Sequence, residues 1–173
     1  DNLGALRLGA AAPQALFGED GFSTAALDRV AFRSVLLGDA ALAAAFGAIE
    51  VVDSRYDDWT TAGGPQLIAD NVCTGFWVYG EETTDIASLD LANHPVRVRR
   101  NGVWAEEGNS ANVLDNPLHV VAWLANHLID RGTYLKSGQL LTTGTMIAVN
   151  GAENGDVVEA DYGSLGMVKV SFR

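Results

Sequence analysis

Glu50 lies inside a short run of apolar and β-branched residues, Ala-Ile-Glu-Val-Val, at positions 48–52. A run of this kind is typical of a half-buried strand. A carboxylate removed from water there needs a partner, because burying an isolated charge costs several kcal/mol or more. The partner has to be a metal, an arginine or a proton. Further charged residues follow before position 80, namely Asp53, Arg55, Asp57, Asp58 and Asp70. Residues 48–80 are therefore the candidate site.

Composition limits the class of protein and its partners. The chain has 173 residues, enough for one domain with a sizeable core, and a net charge of −11. That charge argues against nucleic acid and anionic membranes as partners, since both require clustered Lys and Arg. Cys73 is the single cysteine, which fits a reducing cytoplasm. The sequence has no run approaching the roughly 18 apolar residues of a membrane helix, so we expect a cytoplasmic protein.

The first half of the chain predicts one helix and two strands. Asp39 is placed to cap an Ala-rich helix over residues 40–48. Residues 49–53 read as a strand. Alternation along the triplet Asp-Ser-Arg at 53–55 predicts that Asp53 and Arg55 share one strand face. Residues 76–79, Phe-Trp-Val-Tyr, predict an aromatic strand.

The second half has clearer local signals. Residues 96–103 predict a hairpin, with Asn101-Gly102 as a type I′ turn. Residues 118–129 show helical spacing of apolar side chains, and Gly132 is placed to end that helix. Residues 140–149 and 167–172 predict strands, with a turn at Asn150-Gly151 between them. The pattern indicates the α+β class.

Six motifs occur in an order that resembles the fumarylacetoacetate hydrolase superfamily, in its branch of 2-hydroxypenta-2,4-dienoate hydratases and 4-oxalocrotonate decarboxylases. They are AIEVVDSRYDDW (48–59), IADN (68–71), the NG…NP segment (101–117), VVAWLANHL (120–128), LKSGQLLTTGT (135–145) and GDVVEADYGSLGMVKVSF (155–172). One such motif alone is weak evidence, whereas six in order are strong. They span about seven-tenths of the chain.

The resemblance implies a mixed, barrel-like β-roll flanked by helices. It divides the chain into an N-terminal arm with a helix at 1–47 and a hydratase- or decarboxylase-like catalytic domain at 48–173. It implies a lyase that acts on a 2-oxo or 2-hydroxydienoic acid through an enol. Family members bind Mg²⁺ or Mn²⁺ through three carboxylates, and Glu50 matches the third of these. A hard cation with oxygen ligands would chelate the substrate and polarise its 2-oxo group.

The N-terminal third departs from the family pattern. Leu27, Asp28 and Arg29 stand where the family has Glu-x-Glu, the other two metal ligands. Arg29 would repel a cation. Arg7 stands in place of a lysine thought to transfer protons, and an arginine is always protonated near neutral pH. Metal-dependent and metal-free chemistry therefore both stay open at this point, with Asp28 and Asp53 as substitute ligands.

The resemblance also implies roles for the remaining site residues. Asp70, Asp53 and Arg55 are the catalytic candidates. Asn71 and the turn Thr143, Gly144 and Thr145 are the substrate-binding candidates, through hydroxyls and backbone N–H groups. For Glu50 and Asp53 the alternative is an ion pair with Arg55. For Asp70 it is the capping of a turn.

Other chemically notable residues have simpler interpretations. Cys73 is predicted to fill the core, since no His or Lys is close in sequence. His94 precedes Pro95 and is predicted to be exposed, and His119 and His127 are predicted on the helix surface. Trp59 and Trp77 are core residues or line an apolar pocket.

Two other functions remain as alternatives to the lyase. One is a diverged, metal-independent cyclase or isomerase of a biosynthetic pathway. The other is a non-catalytic partner subunit of an active homologue. The expected partners are a small 2-oxo acid-like substrate and further copies of the chain or a homologue.

Overall fold

Two four-stranded sheets form the framework of the protein. A computed structural model describes residues 2–8, 42–148 and 151–173, with the backbone alone for residues 2–8. The first sheet has the order β3-β2-β1-β6, with β1 (Asn2–Leu8), β2 (Leu42–Val52), β3 (Thr74–Tyr79) and β6 (Leu140–Thr145). The second has the order β5-β4-β7-β8, with β4 (Pro95–Arg100), β5 (Val103–Asn109), β7 (Val157–Asp161) and β8 (Met167–Ser171). Neighbouring strands pair antiparallel.

Two α-helices complete the described part, α1 (Gly64–Ala69) and α2 (Pro117–Ile129). The α+β class expected from the sequence is confirmed. Among the residues that the structure describes, no helix combines the length and the apolar character needed to cross a bilayer.

The strand β2 corrects the sequence-based prediction of a helix over residues 40–48. From Leu42 onward that segment is extended and pairs with β1 on one side and β3 on the other. Alanine favours helices, but this intrinsic preference is outweighed by burial: the side chains of Ala44, Ala45 and Ala48 are at most 1% exposed. Residue 47, proposed as the end of the N-terminal arm, lies within β2.

The core lies between the two sheets. Its buried side chains include Val96 and Val98 of the second sheet, Tyr162 directly after β7, and Ile49 of the first sheet. The ring of Tyr162 lies directly over Gly47, where a Cβ atom would overlap it. Glycine at this position therefore lets the two sheets approach closely.

The hairpin and the long helix are confirmed. Asn101 and Gly102 have φ angles of 54° and 79°, as a type I′ turn requires. The Asn116 side chain accepts a hydrogen bond from the Leu118 N–H at 2.9 Å and caps α2, which ends before Gly132 at φ 71°. The helix buries Val121, Ala122 and Ala125 and packs against β6.

His94 is buried, so the prediction that it is exposed is wrong. The Nε2 atom of His94 lies 2.5 Å from the carbonyl oxygen of Tyr162. The backbone N–H of His94 donates to Ser110 Oγ at 2.7 Å. The partners are 16 and 68 residues away in sequence, which is why the local His-Pro pattern could not indicate them.

Candidate functional site

A cleft of about 440 Å³ opens beside the C-terminal end of β2, between the two sheets. The last residues of β2, from Ile49 to Val52, form one wall, and Val98 and Val158 from the second sheet contribute to the other. The remaining lining residues come from four places: the segment after β2, helix α1 with the turn after it, the segment before β7, and the residue after β8. They are Asp53, Ser54, Trp59, Leu67, Val72, Cys73, Ile147, Gly151, Ala152 and Phe172. Glu50 and Asp53 are the charged residues along this cleft within the described part of the chain.

Glu50 is half-buried near the end of β2, directly opposite Trp77 of β3. The hydroxyl of Thr74 donates to Glu50 Oε1 at 3.3 Å. Thr74 was missing from the sequence-based set of candidates, because it stands 24 residues away and only the pairing of β2 with β3 brings it close. The sequence offers no local signal for this contact.

Asp53 and Ser54 lie just beyond β2, which ends at Val52. The prediction that Asp53 and Arg55 share a strand face is therefore wrong, because the chain bends after Val52 and leaves the sheet. The Asp53 N–H donates to the Cys73 carbonyl at 2.8 Å, which fixes the backbone of Asp53 at the edge of the cleft. Glu50 and Asp53 thus line the same space.

Arg55 pairs with Asp70 instead of with Asp53 or Glu50. Arg55 Nε lies 3.2 Å from Asp70 Oδ1, and the Arg55 backbone N–H donates to Asp70 Oδ2, also at 3.2 Å. Ser54 Oγ adds a longer hydrogen bond of 3.4 Å to Oδ2. The Asp70 side chain is only 5% exposed, so this carboxylate is held by protein groups just outside the cleft lining.

The turn after Asp70 has an unusual backbone. Asn71, Val72 and Cys73 have φ angles of 52°, 52° and 61°, in the left-handed region that L-residues rarely occupy. This is costly for the β-branched Val72 in particular. Val72 and Cys73 line the cleft while Asn71 is exposed beside it. Cys73 is buried, in agreement with its predicted place in the core.

The predicted substrate-binding turn lies elsewhere. Thr143 and Gly144 belong to β6, at the far edge of the first sheet from β3. Thr143 is buried and lines a separate small void with Phe46 and His94. Thr145 Oγ1 donates to the Ile147 carbonyl at 2.7 Å. Because Ile147 lines the cleft, Thr145 adjoins it indirectly.

The two tryptophans predicted beside a pocket are placed differently. Trp59 lines the cleft and is 47% exposed, whereas Trp77 lies on β3 outside the lining. Next to Trp59, hydrogen bonds from the hydroxyl and N–H of Thr60 lower the pKa of Asp58. Asp57 and Asp58 are exposed to solvent.

The donor chemistry of the cleft suits a hard cation only in part. Carboxylate oxygens are the ligands that Mg²⁺ and Mn²⁺ prefer, and Glu50 and Asp53 supply them. Within the described residues, however, no three His, Cys, Asp or Glu side chains come together as a metal site. The described carboxylates therefore do not complete a three-ligand site. The positions matched to Glu-x-Glu, residues 27–29, lie outside the described residues, as does the side chain of Arg7.

Comparison with known families defines the class of protein. The model of the fumarylacetoacetate (FAA) hydrolase C-terminal family matches residues 33–173, so the chain belongs to this family.

Similar curated proteins are hydratases and decarboxylases. The chain is 35% identical over 123 residues to a 2-hydroxyhexa-2,4-dienoate hydratase of Comamonas testosteroni, covering 71% of this chain and 46% of that protein. It is 33% identical over 124 residues to a 4-oxalocrotonate decarboxylase of Pseudomonas putida, covering 72% and 47%. The chain thus spans about half the length of the curated relatives it matches.

A solved structure has a similar fold. The 4-oxalocrotonate decarboxylase from Pseudomonas putida G7, complexed with magnesium and adipate, superposes with a TM-score of 0.80 and 26% identity. The match covers 100% of this chain and 59% of that one. The expected β-roll with flanking helices is confirmed.

Proposed function

We propose that the cleft is the active site of a lyase that acts on a 2-oxo or 2-hydroxydienoic acid, by hydration or by decarboxylation through an enol. The observation that carries the proposal is that Glu50 and Asp53 line one cleft with otherwise mostly apolar walls. The chain belongs to a family in which proteins similar to it are named hydratases and decarboxylases, and this supports the same reaction types. Both reactions proceed by moving protons along a conjugated chain.

Asp53 is the proton-transferring group in this proposal. It lines the cleft, and its backbone is fixed by the hydrogen bond to Cys73. Hydration adds one water across the distal double bond, the oxygen to one carbon and a hydrogen to the other. Decarboxylation breaks the bond to the distal carboxyl group, releases carbon dioxide and requires a proton on the remaining chain. In hydration, a carboxylate beside the chain can take the proton from the attacking water and deliver it to the chain; in decarboxylation, its protonated form can donate the proton, which it regains from solvent.

Glu50 is proposed as a cation ligand, as its family match implies. The related decarboxylase structure contains magnesium, so Mg²⁺ is the first ion to test and Mn²⁺ the second. Such an ion would polarise the 2-oxo group of the substrate. Glu50 and Asp53 do not complete its ligand set, so metal-free chemistry is the other form of the proposal.

The walls of the cleft suit an unsaturated carbon chain. Trp59, Leu67 and Phe172 present apolar side chains there, and burial of apolar substrate atoms against them favours binding. Arg55 and Asp70 lie behind this lining. The roles of Asn71, Thr143, Gly144 and Thr145 in substrate binding stay predictions.

Turnover assays test the proposal. The purified chain is given 2-hydroxypenta-2,4-dienoate or 2-oxo-3-hexenedioate, with Mg²⁺, with Mn²⁺ and with neither ion, and the loss of the conjugated chromophore is followed by ultraviolet absorbance. We expect the chromophore of at least one substrate to disappear at a rate proportional to protein concentration. Loss of the dienoate alone identifies a hydratase, and carbon dioxide release from the hexenedioate a decarboxylase. The absence of turnover under all of these conditions would contradict the proposal.

A further inference from the structure

The guanidinium group of Arg55 binds four protein groups around the cleft wall. Besides Asp70 Oδ1, it donates to the carbonyls of Asp53 at 2.9 Å, of Asp70 at 3.3 Å and of Thr74 at 3.3 Å. These carbonyls belong to two chain segments, the one that leaves β2 and the one that enters β3. The planar fork of arginine can serve several acceptors at once, whereas lysine offers a single charged nitrogen.

The left-handed turn Asn71–Cys73 lies between Asp70 and Thr74, in the segment that enters β3. Three consecutive residues with positive φ persist only where surrounding contacts hold them. On the side of Arg55, two backbone hydrogen bonds hold the turn. The Cys73 N–H donates to the Asp70 carbonyl at 3.1 Å, and the Asp53 N–H donates to the Cys73 carbonyl at 2.8 Å. Arg55 binds the carbonyl of Asp70 and that of Asp53 as well, so its guanidinium joins both ends of this arrangement.

The same network reaches Glu50. Thr74 follows the turn directly, its carbonyl is bound by Arg55, and its hydroxyl donates to Glu50 Oε1 at 3.3 Å. The position of the Thr74 backbone sets where that hydroxyl lies. A displacement of about 1 Å in an active site can reduce the rate about 100-fold.

We propose that Arg55 and Asp70 are positioning residues, which hold the turn Asn71–Cys73 as a wall of the cleft and thereby direct the Thr74 hydroxyl onto Glu50. Neither residue contacts the substrate in this proposal, which assigns them a different role from the catalytic one expected from the sequence. The structural half of the inference stands on the contacts alone. Its catalytic half rests on the proposed function.

The structural half is tested by amide hydrogen exchange in Arg55→Lys. We expect the Asp53 amide, which donates to Cys73, to exchange at least about tenfold faster, a factor that corresponds to about 1.4 kcal/mol of local opening free energy. Amides of the β4–β5 hairpin should keep their protection. The matched control is Arg97→Lys, since Arg97 forms an exposed pair with Glu107 at 3.9 Å, away from the cleft lining. If Arg55→Lys does not fold, Asp70→Asn removes the same ion pair with little change in volume.

The catalytic half is tested by kinetics on the same variants. We expect kcat to fall about 10- to 100-fold with a smaller change in KM, because the cleft lining keeps its side chains while their geometry loosens. Arg55 is 57% exposed at its side chain, so guanidinium ion at sub-denaturing concentration should reach the vacated space in Arg55→Gly and restore part of kcat. A purely global loss of stability would not be rescued in this way.

The outcomes separate the two claims. Unchanged exchange of the Asp53 amide in both Arg55→Lys and Asp70→Asn overturns the inference. Faster exchange with unchanged kcat overturns its catalytic half. If the unaltered chain turns over neither substrate, the proposed function fails and the catalytic half with it, while the exchange data still decide whether the pair holds the turn.

Discussion

The hydroxyl of Tyr162 donates a hydrogen bond to the backbone carbonyl of Ala48. Ala48 lies in β2 of the first sheet, and Tyr162 directly follows β7 of the second. The Tyr162 side chain is fully buried, and burial raises its pKa above the ordinary value of 10.0. This bond therefore joins the sheets as a neutral contact, two residues before Glu50 in the same strand.

Replacement of this hydroxyl should weaken the contact between the sheets. For Tyr162→Phe we expect the free energy of unfolding to fall by about 1 kcal/mol, the net value of a buried hydrogen bond, as measured by urea denaturation. The control is Tyr56→Phe, because the Tyr56 hydroxyl is exposed and makes only a 3.4 Å bond to Gln66. Equal stability of Tyr162→Phe and the unaltered protein would contradict this role.

Asp156 should make stability depend on pH in acid. Hydrogen bonds from the Asn101 side chain, the Glu153 N–H and Arg100 lower its pKa from 3.8 to about 2. A group with a depressed folded-state pKa stabilises the protein above its unfolded pKa, and this stabilisation is lost as the pH falls through the folded value. The stability difference between the unaltered protein and Asp156→Asn should therefore be constant above pH 5 and shrink between about pH 4 and pH 2. A stability difference that does not change over this range would show that protonation of Asp156 does not affect the stability of the folded protein.

The left-handed conformation of Val72 should cost stability. Val72 is 62% exposed, so its side chain loses little buried area when removed. We expect Val72→Gly to raise the free energy of unfolding by about 1 kcal/mol, because glycine accepts positive φ without strain. The control is Val103→Gly in β5, where a valine that is 70% exposed has strand geometry and the same change should destabilise. Destabilisation by both variants to the same extent would show that the turn is not strained.

The sequence could predict those elements whose signals are local. The Asn101-Gly102 turn and the α2 helix are encoded by residues that contact one another within a few positions. The sequence alone predicts a helix over the first half of β2, because alanine favours helices. The neighbouring strands and the Tyr162 ring, which outweigh this preference, come from distant parts of the chain.

In the candidate site, too, only the local features can be predicted from the sequence. Glu50 is such a feature, because a charged residue in an apolar run is visible in the sequence itself. Its contact with Thr74 and the pairing of Arg55 with Asp70 depend on how β2 and β3 align. That alignment joins residues 15 to 24 positions apart, and no periodic pattern encodes it.

Asp53 should be essential if it transfers protons. For Asp53→Asn we expect kcat to fall about 100- to 10,000-fold, the usual contribution of a general acid or base, with stability little changed because the side chain is exposed. Asp57→Asn is the control, since Asp57 is also exposed but does not line the cleft. Activity within a few-fold of that of the unaltered protein would assign the proton transfer to another group.

The most direct measurement is the turnover of 2-hydroxypenta-2,4-dienoate by Glu50→Gln beside the unaltered protein, each supplied with Mg²⁺. Glu107→Gln, an exposed change on the second sheet, serves as the control. We predict that Glu50→Gln folds but loses activity by about 100-fold or more, because the cleft loses the proposed ligand of the cation that would polarise the 2-oxo group, while Glu107→Gln stays fully active. Retention of full activity by a folded Glu50→Gln would contradict the assignment of this cleft as the active site.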